Sequence, residues 1–447
     1  MTVAVWWIRR DMRLADNKAL QSAAAAGAVA PLFVVDPVFV NAGVARRNYM
    51  YATLRDLDLR MDKCLILRHG NPVEKVVEFA VAIGAKTVHI AEDFAPYGIE
   101  RDKNVRRALR EAGIELVVAD SSYVINPGTV RKDDGTPLKV FTPFFKRWLQ
   151  FPFESASDGS VEFHDARSLC EGYPEYQIDD KVIFPVGEEA AWKRWHEWSE
   201  DNLNQYKEAR NNPAIDGTSQ LSAQLRFGVV HPRQLLSRLP GTAGADHFRS
   251  EIAWREFYAD VLFHQPHTAW KNLQSKMDAL PSDTGAIADE RFAKFCAGQT
   301  GYPIVDAGIR QMLETGWMHN RVRMIVASFL VKDLHLPWQW GARFFMQHLV
   351  DGDLASNNHG WQWTAGTGTD AAPYFRVFNP TSQSEKFDPT GEYLRRWVPE
   401  IAELGNKDIH DPAGLGLLAP AGYVTPLVDH AVERNEALAR YKAVSGK

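Results

Sequence analysis

Five short apolar runs in the first 120 residues place the strongest constraint on the fold. In chain order they read VAVWWI, APLFVV, CLILRHG, TVHIAED and IELVVAD. Continuous runs rich in Val and Ile are typical of strands buried on both faces of a parallel sheet. Between them, NPVEKVVEFAVAIGA and ERDKNVRRALREAG have helical spacing, the first with an Asn cap and both with a closing Gly. The pattern predicts a doubly wound α/β domain.

Strand-like runs become scarce beyond this region. From about Ser121 to Gly187 the sequence is rich in Pro, Gly and Asp, which indicates an irregular connection with one ordered piece at Lys139–Leu149. From about residue 190 onward, helical periodicity dominates. We therefore expect an α/β domain over residues 1–125, a connection over residues 126–190 and an all-helical domain over residues 191–447.

Composition excludes several classes of protein. The chain has 447 residues, of which 45% are hydrophobic and 24% charged, as in globular proteins with two or three cores. No apolar run approaches a membrane span, and the first residues lack the pattern of a signal peptide. Three scattered cysteines fit a reducing compartment, so we expect a cytoplasmic protein. The net charge of −5 argues mildly against general coating of nucleic acid but allows a local basic face.

The stretch Asp351–Pro380 mixes amides and carboxylates with aromatic residues. Asp353, Asn357 and Trp361 recur every four residues, so on a helix they would form one stripe of carboxylate, amide and indole. Asn is unfavourable inside a helix because its side chain competes for backbone hydrogen bonds. Two interpretations stay open: a polar helix end with satisfied side chains, or a site for a flat heteroaromatic ligand such as a flavin.

Shorter motifs are less specific. Thr218–Ser222 places hydroxyls and backbone amides before a helical run, which is either an ordinary helix cap or a pyrophosphate site. Two GxGxxA matches, at Gly366 and Gly414, follow no strand, so we interpret them as turns. His264 and His267 lack convergent cysteines or carboxylates, and we expect no metal site.

Besides the stretches above, three long strings are distinctive: WWIRRDMRLADN at Trp6–Asn17, WREFY at Trp254–Tyr258 and TGYPIVDAGIRQMLETGWMHNRVRM at Thr300–Met324. Together these stretches resemble the DNA photolyase/cryptochrome family, most of all its class I enzymes for cyclobutane pyrimidine dimers. The resemblance covers nearly the whole chain. It implies a Rossmann-like antenna-binding domain followed by a helical domain that binds FAD and DNA.

The resemblance implies that FAD works in its fully reduced form. Asn357 would face the flavin N5 as a neutral amide, where plant cryptochromes tend to carry Asp and animal ones Cys. An ion pair of Arg323 and Asp351 would flank the isoalloxazine. The implied cofactor-binding residues are Tyr206, Thr218, Ser219, Gln220, Leu221, Ser222, Arg255, Arg323, Asp351, Gly352, Asp353 and Asn357.

The implied substrate is UV-damaged DNA with a cyclobutane pyrimidine dimer flipped out of the duplex. Most tryptophans are core aromatics, but in the resemblance Trp254 and Trp363 stack on the dimer. Asn320 after His319 matches enzymes for cyclobutane dimers, whereas (6-4) photolyases usually show two histidines. The implied substrate residues are Arg210, Glu251, Trp254, Tyr258, Asn320, Arg321, Met324, Trp363, Arg376 and Gln383.

The implied reaction is electron transfer from excited reduced FAD to the dimer, which then splits. Glu251 would hydrogen-bond the pyrimidine carbonyls and stabilise the radical anion. Photoreduction of FAD in this family commonly uses three tryptophans, and Trp361 and Trp338 match the two nearer the flavin. The outer one has no counterpart in Ser282–Gly298, so the path would exit elsewhere, for instance through Trp340 or a Tyr. The implied catalytic residues are Glu251, Asn357, Trp361 and Trp338.

Three points stay open at this level. A second antenna chromophore would be a folate, a deazaflavin or a flavin, and Asp93–Val105 lies where some relatives bind a folate, although Ile99 before Glu100 departs from their Asn-Glu pair. The alternative functions are a cryptochrome-type blue-light receptor that signals through a protein partner, and a (6-4) photolyase. Receptors often add a long tail, whereas this chain ends soon after Tyr393–Ile401. We expect a monomeric carbon-carbon lyase without an obligate protein partner.

Overall fold

The computed structural model describes residues 2–153, 158–174, 184–371, 373 and 376–445. The strands in this part of the chain are β1 Val3–Ile8, β2 Ala28–Val35, β3 Ile66–His69, β4 Thr87–Glu92 and β5 Glu115–Ser121. The α-helices are α1 Lys18–Ala26, α2 Val44–Leu59, α3 Pro72–Ala82, α4 Pro96–Glu111, α5 Phe141–Trp148, α6 Gly187–Asn202, α7 Tyr206–Ala209, α8 Ser222–Phe227, α9 Pro232–Leu236, α10 Ala243–His264, α11 Ala286–Cys296, α12 Pro303–Thr315, α13 Asn320–Lys332, α14 Trp338–His348, α15 Leu354–Ala365, α16 Pro380–Phe387, α17 Glu392–Trp397 and α18 His430–Ser445.

The five strands form one parallel sheet in the order β3-β2-β1-β4-β5. Each of them lies within or overlaps one of the five apolar runs, and β1 and β2 are buried along nearly their whole length. Such burial on both faces requires helices on both sides of the sheet, which the crossovers between parallel strands supply. The prediction of an α/β fold with a doubly wound parallel sheet, joined to a largely helical remainder, is confirmed.

The two helices expected between the strands are α3 and α4. Asn71 caps α3, because its side-chain oxygen accepts a hydrogen bond from the amide of Val73 at 3.0 Å. Both helices are followed by glycines in the left-handed region, Gly84 and Gly113, at φ of 67° and 73°.

The segment between the sheet and the later helices packs on α10. Glu256 accepts hydrogen bonds from the amide of Ile125 at 3.1 Å and from the indole of Trp148 at 2.6 Å. Asp260, one turn further along α10, accepts from the amide of Gly128 at 2.6 Å. Burial raises the pKa of Glu256 to about 7 although these donors oppose the shift. The ordered piece expected at Lys139–Leu149 contains α5, and residues 154–157 and 175–183 of the expected connection lie outside the described residues.

Buried ion pairs join the sheet to the helical remainder. Arg233 on α9 pairs with Asp16 at 2.7 Å and with Asp120 at 2.9 Å, and Arg13 reaches the same Asp120 at 3.3 Å. Breaking such a pair would leave an uncompensated buried charge, which is strongly destabilising. Separately, within the described residues no helix is both long enough and apolar enough to cross a membrane.

A pair of glycines tests how closely the two parts approach. Gly228 after α8 and Gly84 both have φ of 67°, but a Cβ at Gly228 would lie 1.9 Å from the carbonyl oxygen of Arg10, whereas a Cβ at Gly84 would meet nothing within 4 Å. We expect Gly84→Ala to cost roughly 1–2 kcal/mol of unfolding free energy from backbone strain alone. Gly228→Ala should cost clearly more, as measured by chemical denaturation. Equal losses would contradict the close approach.

Candidate photochemical site

The carboxylate of Asp353 connects the sheet with the helical part. It caps α15 by accepting from the amide of Ser356 at 3.1 Å, and it pairs with Arg10, just after β1, at 2.8 Å. Arg226 of α8 lies 3.9 Å away. Burial alone would raise the pKa of Asp353, but the positive charges around it outweigh burial and hold that pKa well below its usual range. Asp353 therefore precedes the first turn of α15, and only Asn357 and Trp361 of the expected stripe lie inside the helix.

Three other polar side chains of α15 hydrogen-bond to the neighbouring chain segment 268–273, namely those of Asn358, His359 and Gln362. Gln362 donates to the carbonyl of Thr268 at 2.9 Å and accepts from the amide of Leu273 at 2.9 Å. The amide of Asn358 donates to the carbonyl of Ala269. These amides therefore join α15 to a neighbouring segment. This agrees, for these residues, with the interpretation of α15 as a polar helix end with satisfied side chains.

Asn357 differs from these neighbours. Its two N–H groups donate to the carbonyl of Ala342 at 3.0 Å and to Oδ1 of Asn358 at 2.9 Å. Both donors are used, so the half-buried Asn357 can act on a ligand only through its Oδ1, as an acceptor.

Two buried tryptophans belong to the same helix pair as this amide, Trp361 to α15 and Trp338 to α14. Trp361 is 2% exposed, packs edge-on against Phe345, and its indole N–H has no hydrogen-bond partner among the described residues. Gly341 on α14 makes room for it, because a Cβ there would lie 2.1 Å from the indole ring. Trp338, 4% exposed, donates its indole N–H to Asn272 at 2.9 Å.

The turn before α15 concentrates positive charge. Arg323 of α13 pairs with Asp351 at 2.9 Å, so the structure brings together the two residues of the implied ion pair. The carbonyl of Gly352 accepts from Arg226 at 2.9 Å and from Arg46 at 3.2 Å. Since Arg226 belongs to α8, this turn is linked directly to the helix that begins at Ser222.

The hydroxyl-rich segment before α8, Thr218–Ser222, is bonded through its backbone to an arginine of α6. Arg194 donates to the carbonyls of Thr218 at 2.9 Å and Ser219 at 3.1 Å. The hydroxyl of Ser222 is buried without a hydrogen-bond partner, while Leu221 before it is 1% exposed. Gln220 has φ of 53°, a left-handed conformation that is uncommon for residues other than glycine. An unpaired buried hydroxyl at a helix start is the kind of group that an anionic ligand would satisfy.

Two further residues of the implied cofactor set, Tyr206 and Arg255, lie outside both the turn before α15 and the segment before α8. Tyr206 is 8% exposed and packs against Trp198 and Phe248, and burial raises its pKa well above the usual range. Arg255 donates to the carbonyls of Ser122 at 2.9 Å and Leu225 at 3.3 Å. At least two donors of Arg255 are therefore used to join α10 to its neighbours.

Aromatic residues connect α10 with α15. Tyr258 stacks on His359 with ring centroids 5.6 Å apart and planes 14° apart. Trp254 and Trp363 are each one helical turn from this pair, on α10 and α15 respectively, and both are only partly buried. Partial exposure distinguishes them from the buried Trp361 and leaves ring surface for a ligand.

The remaining implied substrate residues are polar residues in ion pairs or hydrogen bonds, or side chains that are at least partly exposed. Glu251 pairs with Arg210, and Arg321 donates to Asn211 at 3.2 Å. The side chain of Asn320 is exposed at the start of α13, whereas His319 before it is 2% exposed. Three others complete the set: Met324 and Gln383 are partly buried, and Arg376 is exposed.

A separate cavity of about 190 Å³ lies at the carboxyl ends of β1 and β4. Asp93, Tyr97 and Arg101 from the implied antenna segment line it, as do Arg10 and Asp353. In open α/β sheets this edge is where ligands commonly bind. The side chains of Ile99 and Glu100, by contrast, are exposed on α4 outside the lining, so the departure from the folate pattern does not alter this cavity.

Sequence reasoning missed several residues that shape the site. Arg10, Arg226 and Arg194 were not expected, although they hold Asp353, Gly352 and the segment before α8. A signal existed for Arg10, because it directly follows the first strand of a parallel sheet, at the edge where functional groups gather.

Known proteins resemble the chain over its whole length. Residues 4–159 match the family model for DNA photolyase, and residues 248–443 match that for the FAD binding domain of DNA photolyase. The chain is 37% identical to the deoxyribodipyrimidine photo-lyase of Vibrio cholerae, and the alignment covers 98% of this chain and 99% of that protein.

Solved structures agree with these matches. A class III photolyase from Agrobacterium tumefaciens gives a TM-score of 0.89 at 35% identity, covering 100% of this chain and 98% of that chain. An archaeal photolyase from Sulfolobus tokodaii, whose crystal structure contains two FAD molecules, gives 0.86 at 28% identity, covering 99% of this chain and 100% of that chain.

Acid stability tests the burial of His319. Burial and the nearby positive charge of Arg323 lower the pKa of His319 to about 3, so the folded protein resists the proton that the unfolded chain accepts below about pH 6.5. Stability from this group is present above pH 6.5 and is lost as the pH falls toward 3. We expect His319→Asn, which retains a helix-capping side chain, to flatten the pH dependence of the unfolding free energy.

The slope between pH 6 and pH 4 should decrease by up to about 1.4 kcal/mol per pH unit, measured by urea denaturation. His196→Asn, at an exposed position on α6, is the control. An unchanged slope in His319→Asn would contradict a buried, neutral imidazole.

Proposed function

The chain belongs to the DNA photolyase family, and from this premise we propose that it repairs UV-damaged DNA by splitting cyclobutane pyrimidine dimers in light. Its activity is that of a deoxyribodipyrimidine photo-lyase, a carbon-carbon lyase. The observation that carries the proposal is the pair of partly exposed tryptophans, Trp254 and Trp363, each one turn from the stacked Tyr258 and His359. Flat, partly exposed rings suit a flipped-out base, which stacks on aromatic side chains.

FAD, when bound, supplies the light-driven electron transfer that splits the dimer. The chain's residues bind and orient it. The unpaired hydroxyl of Ser222 would donate to a phosphate oxygen, and Arg323 with Asp351 would flank the ring system. Asn357 would accept a hydrogen bond through Oδ1 and supply no acidic proton, which fits a fully reduced working form. The buried hydroxyl and the unpaired indole of Trp361 both fit a large polar aromatic ligand.

Glu251 and Arg210 would divide the polar recognition of the dimer between them. The carboxylate of Glu251 pairs with Arg210, and an ionised carboxylate only accepts hydrogen bonds. Glu251 would therefore accept from the ring N–H of a pyrimidine, whereas the resemblance had implied a bond to the pyrimidine carbonyls. Its partner Arg210 would donate to a pyrimidine carbonyl or to a nearby phosphate. Asn320, which is exposed beside the buried His319, favours cyclobutane dimers over (6-4) products as the substrate.

The charged cavity at the carboxyl edge of the sheet is our candidate for the second chromophore. Arg10, Arg101 and Arg226 would suit an anionic aromatic ligand, with Tyr97 and Tyr123 as walls. We assign it to an antenna domain over residues 1–125, with the connection at 126–190 and the catalytic domain at 191–447. We further propose that the enzyme acts in the cytoplasm as a monomer, with damaged DNA as its partner.

Repair of a defined oligonucleotide tests this proposal. The purified, reduced protein should remove a single cyclobutane thymine dimer in blue light and leave it intact in the dark. Loss of a (6-4) lesion instead would support that alternative, and no repair of either lesion by flavin-loaded protein would favour the receptor.

Trp254→Ala tests the stacking wall. Stacking on an aromatic side chain is worth roughly 1–3 kcal/mol per base, so the dissociation constant for dimer-containing DNA should rise roughly 5- to 150-fold. Trp192→Ala removes another partly buried tryptophan, which lies on α6 under the guanidinium of Arg238, and should leave that constant unchanged. Equal effects of both substitutions would show that Trp254 has no special contact with DNA.

Arg376→Gln tests the backbone contact. Removing one phosphate contact should weaken the binding of damaged and undamaged DNA alike. It should also make the plot of log binding constant against log salt concentration less steep, by about one unit of slope. Arg107→Gln, at an exposed position on α4 in the sheet region, is the matched control. A change confined to damaged DNA would instead place Arg376 at the lesion.

A further inference from the structure

Phe141, the first residue of α5, lies flat on the indole of Trp254. The ring centroids are 3.7 Å apart and the planes differ by 8°, the closest stacking among the described aromatic pairs. Phe141 is 7% exposed and also contacts Phe145 at 5.6 Å and Phe257 at 5.8 Å between centroids. It therefore belongs to the packed core and is not a surface ring that a ligand could displace cheaply.

One end of α5 is bonded to the helix that carries Trp254, and the other end to the chain that follows the helix carrying Trp363. At its start, the amide of Phe141 donates to Asp370 at 3.2 Å, and Thr369 donates to the carbonyl of Lys139. Thr369 and Asp370 follow α15, the helix that carries Trp363. At its other end, Trp148 donates to Glu256 on α10, the helix that carries Trp254. The helix α5, which carries neither Trp254 nor Trp363, is thus bonded to α10 at one end and to the residues after α15 at the other.

An indole ring offers two faces, and a stacked base needs one of them. Phe141 covers one face of Trp254 and is itself held by the core, so a flipped-out base can stack only on the other. Phe257 and Tyr258 also contact Trp254, but at 73° and 44° to its ring, so only Phe141 lies parallel to the indole plane. Without this parallel backing the indole could tilt, and ordering it again on binding would weaken recognition of the dimer.

We infer that Phe141 is a positioning residue of the lesion pocket, which fixes the ring plane of Trp254 and so determines the discrimination between damaged and undamaged DNA. The inference rests on the proposed function, because it assumes that Trp254 contacts the dimer. Phe141 itself touches no DNA.

The test compares Phe141→Leu with Phe145→Leu. Both substitutions remove one aromatic ring from the same stack on α5, but only Phe141 contacts Trp254. Dissociation constants are measured in the dark for an oligonucleotide with one cyclobutane thymine dimer and for the same sequence without it. Flavin content and thermal melting are recorded for every variant.

We expect Phe141→Leu to weaken binding of the dimer-containing strand roughly three- to tenfold, the range that corresponds to an aromatic pair. Binding of undamaged DNA and the repair yield per absorbed photon at saturating DNA should stay at the wild-type level, and Phe141→Tyr should restore most of the affinity. Phe145→Leu should bind both strands as the wild type does.

Three results would overturn the inference. Phe141→Leu could lose affinity equally for the dimer-containing and the undamaged oligonucleotide, or both Leu variants could lose the same affinity for the dimer. The third is a folded Phe141→Leu protein that binds the dimer as tightly as the wild type. If the wild type itself does not prefer dimer-containing DNA, the proposed function fails first and the inference fails with it. The wild-type measurement thus separates the two failures.

Discussion

The rest of the site depends on the largely buried ion pair between Asp353 and Arg10. The carboxylate begins α15 by accepting from the amide of Ser356, and at 2.8 Å it accepts from a guanidinium that directly follows β1. Without it, the guanidiniums of Arg10 and Arg226 would have mainly the carboxylate of Asp93 to offset their mutual repulsion, a costly arrangement away from water. The pair therefore fixes where α15 starts relative to the sheet.

The positions of the α15 residues proposed to act on the flavin and the dimer follow from that fixed start. Asn357 lies one turn into α15 with both donors used inside the protein, Trp361 lies one turn further over the gap left by Gly341, and Trp363 lies near the end. The same ion pair forms part of the wall of the cavity at the sheet edge. One carboxylate thus sets the geometry between the candidate flavin site and the candidate antenna site.

Local pattern was sufficient to predict the sheet but not the contacts that build the site. The five strands follow from continuous apolar runs, and α3 follows from its Asn71 cap, because burial and capping are properties of neighbouring residues. Arg10 and Asp353 are 343 positions apart, and no periodicity relates them. Phe141 and Trp254 were both visible as aromatic residues, but their stacking depends on how α5 docks on α10. The polar residues of α15 suggested a ligand, whereas Asn358 and Gln362 mainly bind the backbone of the preceding segment.

The central claim is that light drives an electron from bound flavin into a dimer held against Trp254 and Trp363. The fluorescence lifetime of the reduced flavin in the purified protein tests this claim most directly. The lifetime would be measured alone, with a dimer-containing oligonucleotide, and with the undamaged oligonucleotide of the same sequence. The account predicts a shorter lifetime only with the dimer, because only the dimer accepts the electron. A lifetime that is the same with both saturating oligonucleotides would contradict it.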